Sequence, residues 1–199
     1  LFHKILLVLI VIWSLRLGLY LVIRVRSMGR DKRFDKLRNN WKRIGGFWLI
    51  QTISVLIILY PTAIIFQKDV EVLHINHYLG FTIASLGFLI EAIADQQKFN
   101  FRSNEKNTGL FIKHGLWSWV QHPNYLGEIL FWSGIFISVT PHLHQHEWLS
   151  FISPLWISFL LLRISGIPIL KRSATQKYGH LKSYQEYNKS TAKLFPYIY

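Results

Sequence analysis

The sequence predicts an all-α, polytopic transmembrane bundle, and three observations carry that prediction. Of its 199 residues, 51% are hydrophobic and only 17% are charged, which is more apolar and less charged than a typical soluble domain. The apolar residues are gathered into five long blocks. Basic residues accumulate in alternate connections between those blocks. We therefore expect about five membrane spans in one domain covering residues 1–199.

The length of each block decides how it can cross a bilayer. An α-helix needs about 20 residues to cover the roughly 30 Å hydrocarbon layer. The first, second and fifth blocks reach that length. The third and fourth are shorter and must tilt, extend into their flanks or partly re-enter. In order, the blocks are 1–23, 45–66, 78–94, 125–140 and 148–170.

The net charge of +13 is distributed as expected for a membrane protein. Segment 24–43 holds nine Lys and Arg residues, segment 96–124 holds four and the tail from Lys171 holds six, whereas the two remaining connections hold only Lys68. Lys and Arg mark the cytoplasmic side of a membrane. This predicts an external first residue and a cytoplasmic C-terminus, in a bacterial inner membrane or the endoplasmic reticulum. Because topology and attraction to anionic lipid explain the charge, we do not expect nucleic-acid binding.

Cysteine is absent, which excludes disulfides, thiolate metal sites and thiol nucleophiles. Five histidines lie in the predicted external connections, but such loops often collect His, and we assign no metal. Four catalytic signatures are missing: GxGxxG, the P-loop, HExxH and GxSxG. A nucleotide site would therefore have to be of a non-Rossmann type. Because the chain begins with Leu rather than Met, we leave open whether another segment precedes it.

Polar residues interrupt the apolar pattern where the fourth span begins. Pro123 suits the first helical turn, where its missing N–H costs nothing. Asn124 and Glu128 then share one helical face, beside Tyr125. A carboxylate inside a span usually faces the bundle interior or a wet cavity and marks a ligand path. The alternative is an ion pair with a basic residue of another helix, for example Arg163.

A second polar stripe follows the third span. In a continuous helix, Glu91, Asp95 and Arg102 lie on one face, with Lys98 between them. Acids at the end of a span followed by cations at its mouth can bind hydroxyl or amide donors together with phosphate. Ordinary pairing and snorkelling at a membrane edge is the alternative. The polar tail around Tyr178, Tyr184 and Tyr187 is expected to form a helix that packs against another part of the protein.

Several motifs together resemble the steroid 5-alpha-reductase-like membrane family, with its uncharacterised bacterial-type members closest. They are "QQKFNFR", "NTGLFIKHGLW", "GLWSWVQHPNYLGE", "LLLRISGIPIL", "KYG" and "YQEYNKST". With "RDKRFDKLR" upstream, the resemblance runs from about residue 16 to residue 196, and the final "PYIY" is similar to sterol C14 reductases. A shorter pattern, His-Pro-x-Tyr-x-Gly, is shared with isoprenylcysteine carboxyl methyltransferases and related phospholipid methyltransferases.

The resemblance implies a membrane enzyme that uses NADPH to saturate a carbon–carbon double bond of a lipophilic substrate. It implies that Asn124 and Glu128 hold the nicotinamide end and that Asp95 and Arg102 contact the adenosine and phosphate part. The three tail tyrosines would close over the cofactor. No residue is assigned as the catalytic proton donor. The expected cofactor-binding residues are Glu91, Asp95, Lys98, Arg102, His122, Asn124, Tyr125, Glu128, Tyr178, Tyr184 and Tyr187.

Three positions depart from the family pattern. Gln121 stands where relatives commonly have Arg, Leu110 replaces a frequent Lys, and Lys171 replaces a frequent Glu. The first two remove potential phosphate contacts. Two further hypotheses therefore stay open. One is a methyltransferase that uses S-adenosylmethionine on a prenylated or lipid substrate, based on the shared motif with His122. The other is a non-enzymatic lipid-binding protein or partner subunit.

Overall fold

The computed structural model describes residues 1–28 and 41–195, and within these ranges the regular structure is helical. The remaining residues include the "RDKRFDKLR" and "PYIY" matches, which thus lie outside the described residues. Short 3₁₀ and π segments join the α-helices. The α-helices are α1 (Phe2–Met28), α2 (Trp41–Ile65), α3 (Ile75–Ser103), α4 (Pro123–Val139), α5 (Ile152–Phe159), α6 (Ile167–Tyr178) and α7 (Lys182–Ser190).

Four helical stretches are long and apolar enough to cross a membrane, and they match the first, second, third and fifth predicted blocks. This confirms the polytopic helical bundle. The fourth block forms α4, whose 17 residues span only about 25 Å at 1.5 Å per residue, and a 3₁₀ turn at Thr140–His142 extends it. The four stretches are Phe2–Ser27, Trp41–Ile65, Ile75–Ser103 and Gln145–Tyr178.

Helices α3 and α4 pack antiparallel with their backbones in direct contact. A Cβ added to Gly87 would lie 2.4 Å from the Phe131 amide nitrogen, and one added to Gly134 would lie 2.4 Å from that of Ala84. Gly80 repeats this approach nearer the start of α3. Inside a membrane, such small residues let helices approach closely and gain van der Waals contact. Helix α4 therefore packs along α3 from Gly80 to Glu91.

Helices α1 and α3 run side by side in the same direction. The Phe2 ring lies 4.6 Å from the His77 ring at their starts, and further along Arg16 bonds Glu91. The ends of α1 and α3 and the start of α4 therefore lie at one end of the bundle. We call this end, which carries Arg24, Arg102 and His122, the polar face.

The connection between α3 and α4 returns to this polar face through two glycine turns. Helix α3 continues past its apolar block to Ser103, as predicted. Gly109 and Gly115 then adopt φ values of 81° and 61°, a left-handed region that costs other residues more. Helix α4 begins at Pro123, which confirms the predicted start. The predicted tail helix is divided in two: Tyr178 is the last residue of α6, whereas Tyr184 and Tyr187 lie in α7, where Tyr184 is buried.

Candidate functional site

An ion-pair network lies inside the bundle between α1 and α3. Arg16 Nη1 donates to Glu91 Oε1 and Arg16 Nη2 donates to Asp95 Oδ2, both at 2.7 Å. Arg16 Nη2 also reaches the Glu91 carbonyl oxygen at 3.1 Å. Trp13 Nε1 donates to Glu91 Oε2 at 2.8 Å. Glu91 is only 2% exposed, and both of its carboxylate oxygens accept hydrogen bonds from α1 rather than from solvent.

Ion pairing was the alternative interpretation of the second polar stripe, and it is present: the cation that pairs with Glu91 and Asp95 is Arg16 of α1. Glu91 and Asp95 face Arg16, whereas Lys98 and Arg102 lie further along α3 at the polar face. Sequence reasoning missed Arg16 and Trp13. The available signal was a lone Arg inside an apolar block, because a cation in a span needs an anion on a neighbouring helix.

Two hydrogen-bond acceptors on α4 are poorly satisfied, and the Trp132 indole Nε1, a buried donor of the same helix, also has no partner. The side-chain oxygen Oδ1 of Asn124 is buried and has no hydrogen-bond partner. From the described part of the chain, no hydrogen bond or ion pair reaches the Glu128 carboxylate. Arg163, its possible partner, is exposed on the π segment. Buried acceptors without donors are costly, so this face of α4 suits a ligand that brings N–H or O–H groups.

His122 lies at the polar face, directly before the helix α4 that carries Asn124 and Glu128. It precedes Pro123 at the N-terminal end of α4, and its ring stacks on Tyr125 with centroids 5.6 Å apart. Its Nδ1 is buried without a partner. Burial, and secondarily the charge of Lys98, lowers the pKa of His122 to about 4. His122 is therefore neutral at pH 7 and can accept a proton or a hydrogen bond.

A cavity with an empty volume of about 890 Å³, counted to its open mouth, lies at the polar face. Its walls come from the end of α3, the α3–α4 connection, α6 and α7. Four cations line it, and none of its described lining residues is acidic. Such a wall favours an anionic ligand. The four cations are Lys98, Arg102, Lys171 and Lys177.

Aromatic side chains form a second part of the cavity wall. The Phe111 ring lies 5.1 Å from Tyr184, 5.4 Å from Tyr187 and 5.9 Å from Tyr178, between centroids. The Tyr187 hydroxyl donates to the Trp117 carbonyl oxygen at 2.6 Å, and burial raises the pKa of Tyr187. The rings thus hold α6 and α7 against the α3–α4 connection.

Gln121 fastens the chain after α7 to the start of α4. Its Nε2 donates to the Thr191 carbonyl oxygen at 2.6 Å and to that of Asn188 at 3.3 Å. Its backbone N–H donates to the Ala192 carbonyl oxygen at 2.8 Å. Leu110, Gln121 and Lys171, the three positions at which the sequence was expected to depart from the family it resembles, all line the cavity.

The predicted site residues therefore fall into two groups. Five of them, Glu91, Asp95, Asn124, Tyr125 and Glu128, lie on α3 and α4 but do not line the cavity. The six that line the cavity are Lys98, Arg102, His122, Tyr178, Tyr184 and Tyr187. Sequence reasoning did not single out Lys177, Phe111 and Trp117, which share this wall.

Three of the predicted external histidines meet at the opposite end of the bundle. His77 Nδ1 accepts the His74 backbone N–H at 2.7 Å, so a neutral His77 carries its proton on Nε2. That Nε2 lies 3.1 Å from His142 Nε2, and burial lowers the pKa of His142. Lys68 bonds the His142 carbonyl oxygen at 2.6 Å and pairs with Glu147. These contacts join the two connections at this end.

A protein-family comparison matches residues 2–191 to the family described as "Protein of unknown function (DUF1295)". The chain belongs to this family. DUF1295 proteins are related in general to steroid 5-alpha-reductase-like membrane proteins. The match to the DUF1295 family covers α1 to α7, including every cavity-lining residue named above. No curated protein and no solved structure matches the chain.

Proposed function

We propose that this DUF1295 protein, within the bacterial-type branch of the reductase-like proteins, is a membrane oxidoreductase. It uses NADPH to reduce a carbon–carbon double bond of a lipophilic, steroid-like or enone-like substrate. The cavity at the polar face carries the proposal, because its wall combines four cations with tyrosine, tryptophan and phenylalanine rings. Cations bind phosphate, and rings stack on flat heterocycles.

The deeper polar residues fit the other end of the same cofactor. A nicotinamide carboxamide supplies two N–H donors. Asn124 Oδ1 is a buried acceptor without a donor, and no hydrogen bond from the described residues reaches the Glu128 carboxylate. His122 and Glu128 are six positions apart, or about 9 Å along α4. A dinucleotide with its phosphates among the cations could extend its nicotinamide along this face. Apolar helices around it would keep water from the hydride.

The reaction is tested with NADPH deuterated at the transferred position and a lipid extract from the host membrane. We expect deuterium in a lipid product, with formation of NADP⁺. The variant Lys177→Gln should lower kcat/KM by about tenfold if one phosphate contact contributes about 1.4 kcal/mol. Arg172→Gln is the matched control, because Arg172 is a neighbouring exposed cation of α6 that does not line the cavity.

A methyltransferase that uses S-adenosylmethionine is the second candidate, and His122 favours it. This residue lines the cavity and has an unpartnered Nδ1, so it could accept a hydrogen bond from a methyl acceptor. Native mass spectrometry separates the candidates. If the protein is a reductase, we expect a complex with NADPH and none with S-adenosylmethionine. A complex with S-adenosylmethionine alone would support methyl transfer. No complex with either ligand would support a non-enzymatic protein.

The orientation of the bundle completes the proposal. We infer that the polar face lies in the cytoplasm, because basic residues concentrate at the ends of α1 and α3 and in the tail. A reporter active only in the cytoplasm, fused after residue 199, should be active. An inactive cytoplasmic reporter together with an active external one would reverse the orientation.

A further inference from the structure

A second cavity lies at the polar face, in the groove between α1 and α3. Contacts between these parallel helices join residues 75 to 79 positions apart, as in Arg16 to Glu91 and Arg16 to Asp95. The same register continues to the helix ends. It places Tyr20 and Arg24 of α1 beside Lys98 and Arg102 of α3, where all four line the cavity.

The lining of this cavity suits a compact anion. Its empty volume is about 410 Å³, counted to the open mouth, less than half that of the larger cavity. Three cations line it, and no carboxylate does so among its described lining residues. Arg24 and Arg16 both lie against the Tyr20 ring, at 6.0 and 5.5 Å from its centroid. The ring thus helps to hold the Arg24 guanidinium at the groove.

The position of the cavity indicates where such an anion comes from. Arg24 lies eight residues beyond Arg16, which is about 12 Å along α1 towards the end of the span. The adjacent face of α1 is apolar and exposed, with Leu15, Leu19 and Ile23 each more than half exposed. A molecule with a phosphate in the groove and hydrocarbon chains along this face would satisfy both surfaces.

We propose that this cavity binds the phosphate of an anionic phospholipid, whose acyl chains lie along the exposed face of α1. The phosphate accepts hydrogen bonds from the Arg24, Lys98 and Arg102 side chains. Basic pockets at the cytoplasmic ends of spans are suited to such headgroups. Lys98 and Arg102 also line the larger cavity, whereas Arg24 lines only the groove. Arg24 therefore distinguishes a lipid site from the dinucleotide site.

The test is native mass spectrometry of the purified full chain with phosphatidylglycerol or phosphatidylcholine of identical acyl chains. The wild type should retain phosphatidylglycerol preferentially. Arg24→Gln should weaken that retention by about fivefold, which corresponds to the roughly 1 kcal/mol that a basic residue contributes near anionic lipid. Arg24→Lys should retain most of it. The control is Arg26→Gln, an exposed cation on α1 that does not line the groove.

Equal retention of both lipids, or equal effects of Arg24→Gln and Arg26→Gln in variants that keep the wild-type melting temperature, would overturn the proposal. Two competitors identify the source of the phosphate. Displacement of the lipid by inorganic phosphate would show a free-phosphate site, and displacement by NADPH would assign the groove to the nucleotide. Persistence of the lipid with NADPH bound supports a separate lipid site. Failure of NADPH to bind at all would leave the lipid result standing.

Discussion

Arg16 on α1 and Glu91 on α3 form an ion pair inside the bundle, with Arg16 Nη1 2.7 Å from Glu91 Oε1. The same guanidinium reaches Asp95, also at 2.7 Å. Because the Trp13 indole completes the set, α1 is tied to α3 by polar groups rather than by apolar packing alone. This network positions the end of α1 beside the site and underlies the first prediction.

Removing Arg16 should destabilise the protein strongly. Arg16→Ala leaves two buried carboxylates without their cation, and breaking a buried pair in this way costs about 3–5 kcal/mol. The measurement is thermal unfolding in detergent. Arg26→Ala, at an exposed position of the same helix, should leave the melting temperature almost unchanged. Similar melting temperatures for the two variants would contradict the role given to the network.

The close packing of α3 and α4 predicts intolerance of a single methyl group. Gly134→Ala places a Cβ 2.4 Å from the Ala84 amide nitrogen, so the helices must separate, at a cost of about 1–3 kcal/mol or more. Gly18→Ala is the control, because a Cβ at Gly18 meets no atom within 4 Å. Size-exclusion profiles and melting curves should show loss of fold for the first variant only. A monodisperse, fully stable Gly134→Ala protein would refute the packing.

His122 should make the protein less stable as the pH falls. Its pKa is about 4 in the folded protein, against the ordinary value of 6.5, so the unfolded chain binds this proton more tightly. The contribution of neutral His122 to stability is complete above pH 6.5. It is lost as pH falls from 6.5 towards 4, by up to about 3 kcal/mol.

Comparing the wild type with a His122 variant separates the effect of His122 on stability from that of the other histidines. His122→Asn should lose less stability than the wild type between pH 7 and pH 4.5, measured as the shift in melting temperature. Parallel curves for the two proteins would show that His122 is not held neutral by burial.

Gln121 should hold the chain that follows α7. Gln121→Leu removes the amide that donates to the Thr191 and Asn188 carbonyl oxygens, so the segment around Lys189 and Lys193 should open more often. Limited trypsin digestion should then cut there several times faster. Gln185→Leu, which removes a single exposed bond to the Gly179 carbonyl oxygen, should cut at the wild-type rate. Faster cutting in both variants would show that the Gln121 side chain does not specifically hold the segment after α7.

Local patterns predicted much of the fold from the sequence. Pro123 marked the start of α4, because proline fits the first helical turn. The polar stripe of Glu91, Asp95 and Arg102 required a continuous helix, and α3 does continue to Ser103. The fourth block was expected to tilt, extend into its flanks or partly re-enter, and it forms α4, which at 17 residues is shorter than each of the four candidate spans.

The site was harder to predict, because its composition depends on which helices are neighbours. Helical periodicity placed Glu91 and Asp95 on one face, but it could not show that α1 runs parallel to α3 and brings Arg16 to them. In the same way, Lys177 and Phe111 meet only because α6 folds back over the α3–α4 connection. Long-range contacts of this kind leave no periodic pattern in a single sequence.

Calorimetric titration of the purified protein with NADPH measures whether one ligand contacts both the cations of the cavity and Glu128. We expect one saturable site per chain, with affinity reduced by Lys177→Gln and by Glu128→Gln and unchanged by Arg172→Gln. A phosphate contact and a carboxamide contact would then belong to the same ligand. Absence of binding at millimolar NADPH, by a protein that keeps its wild-type melting temperature, would contradict this expectation.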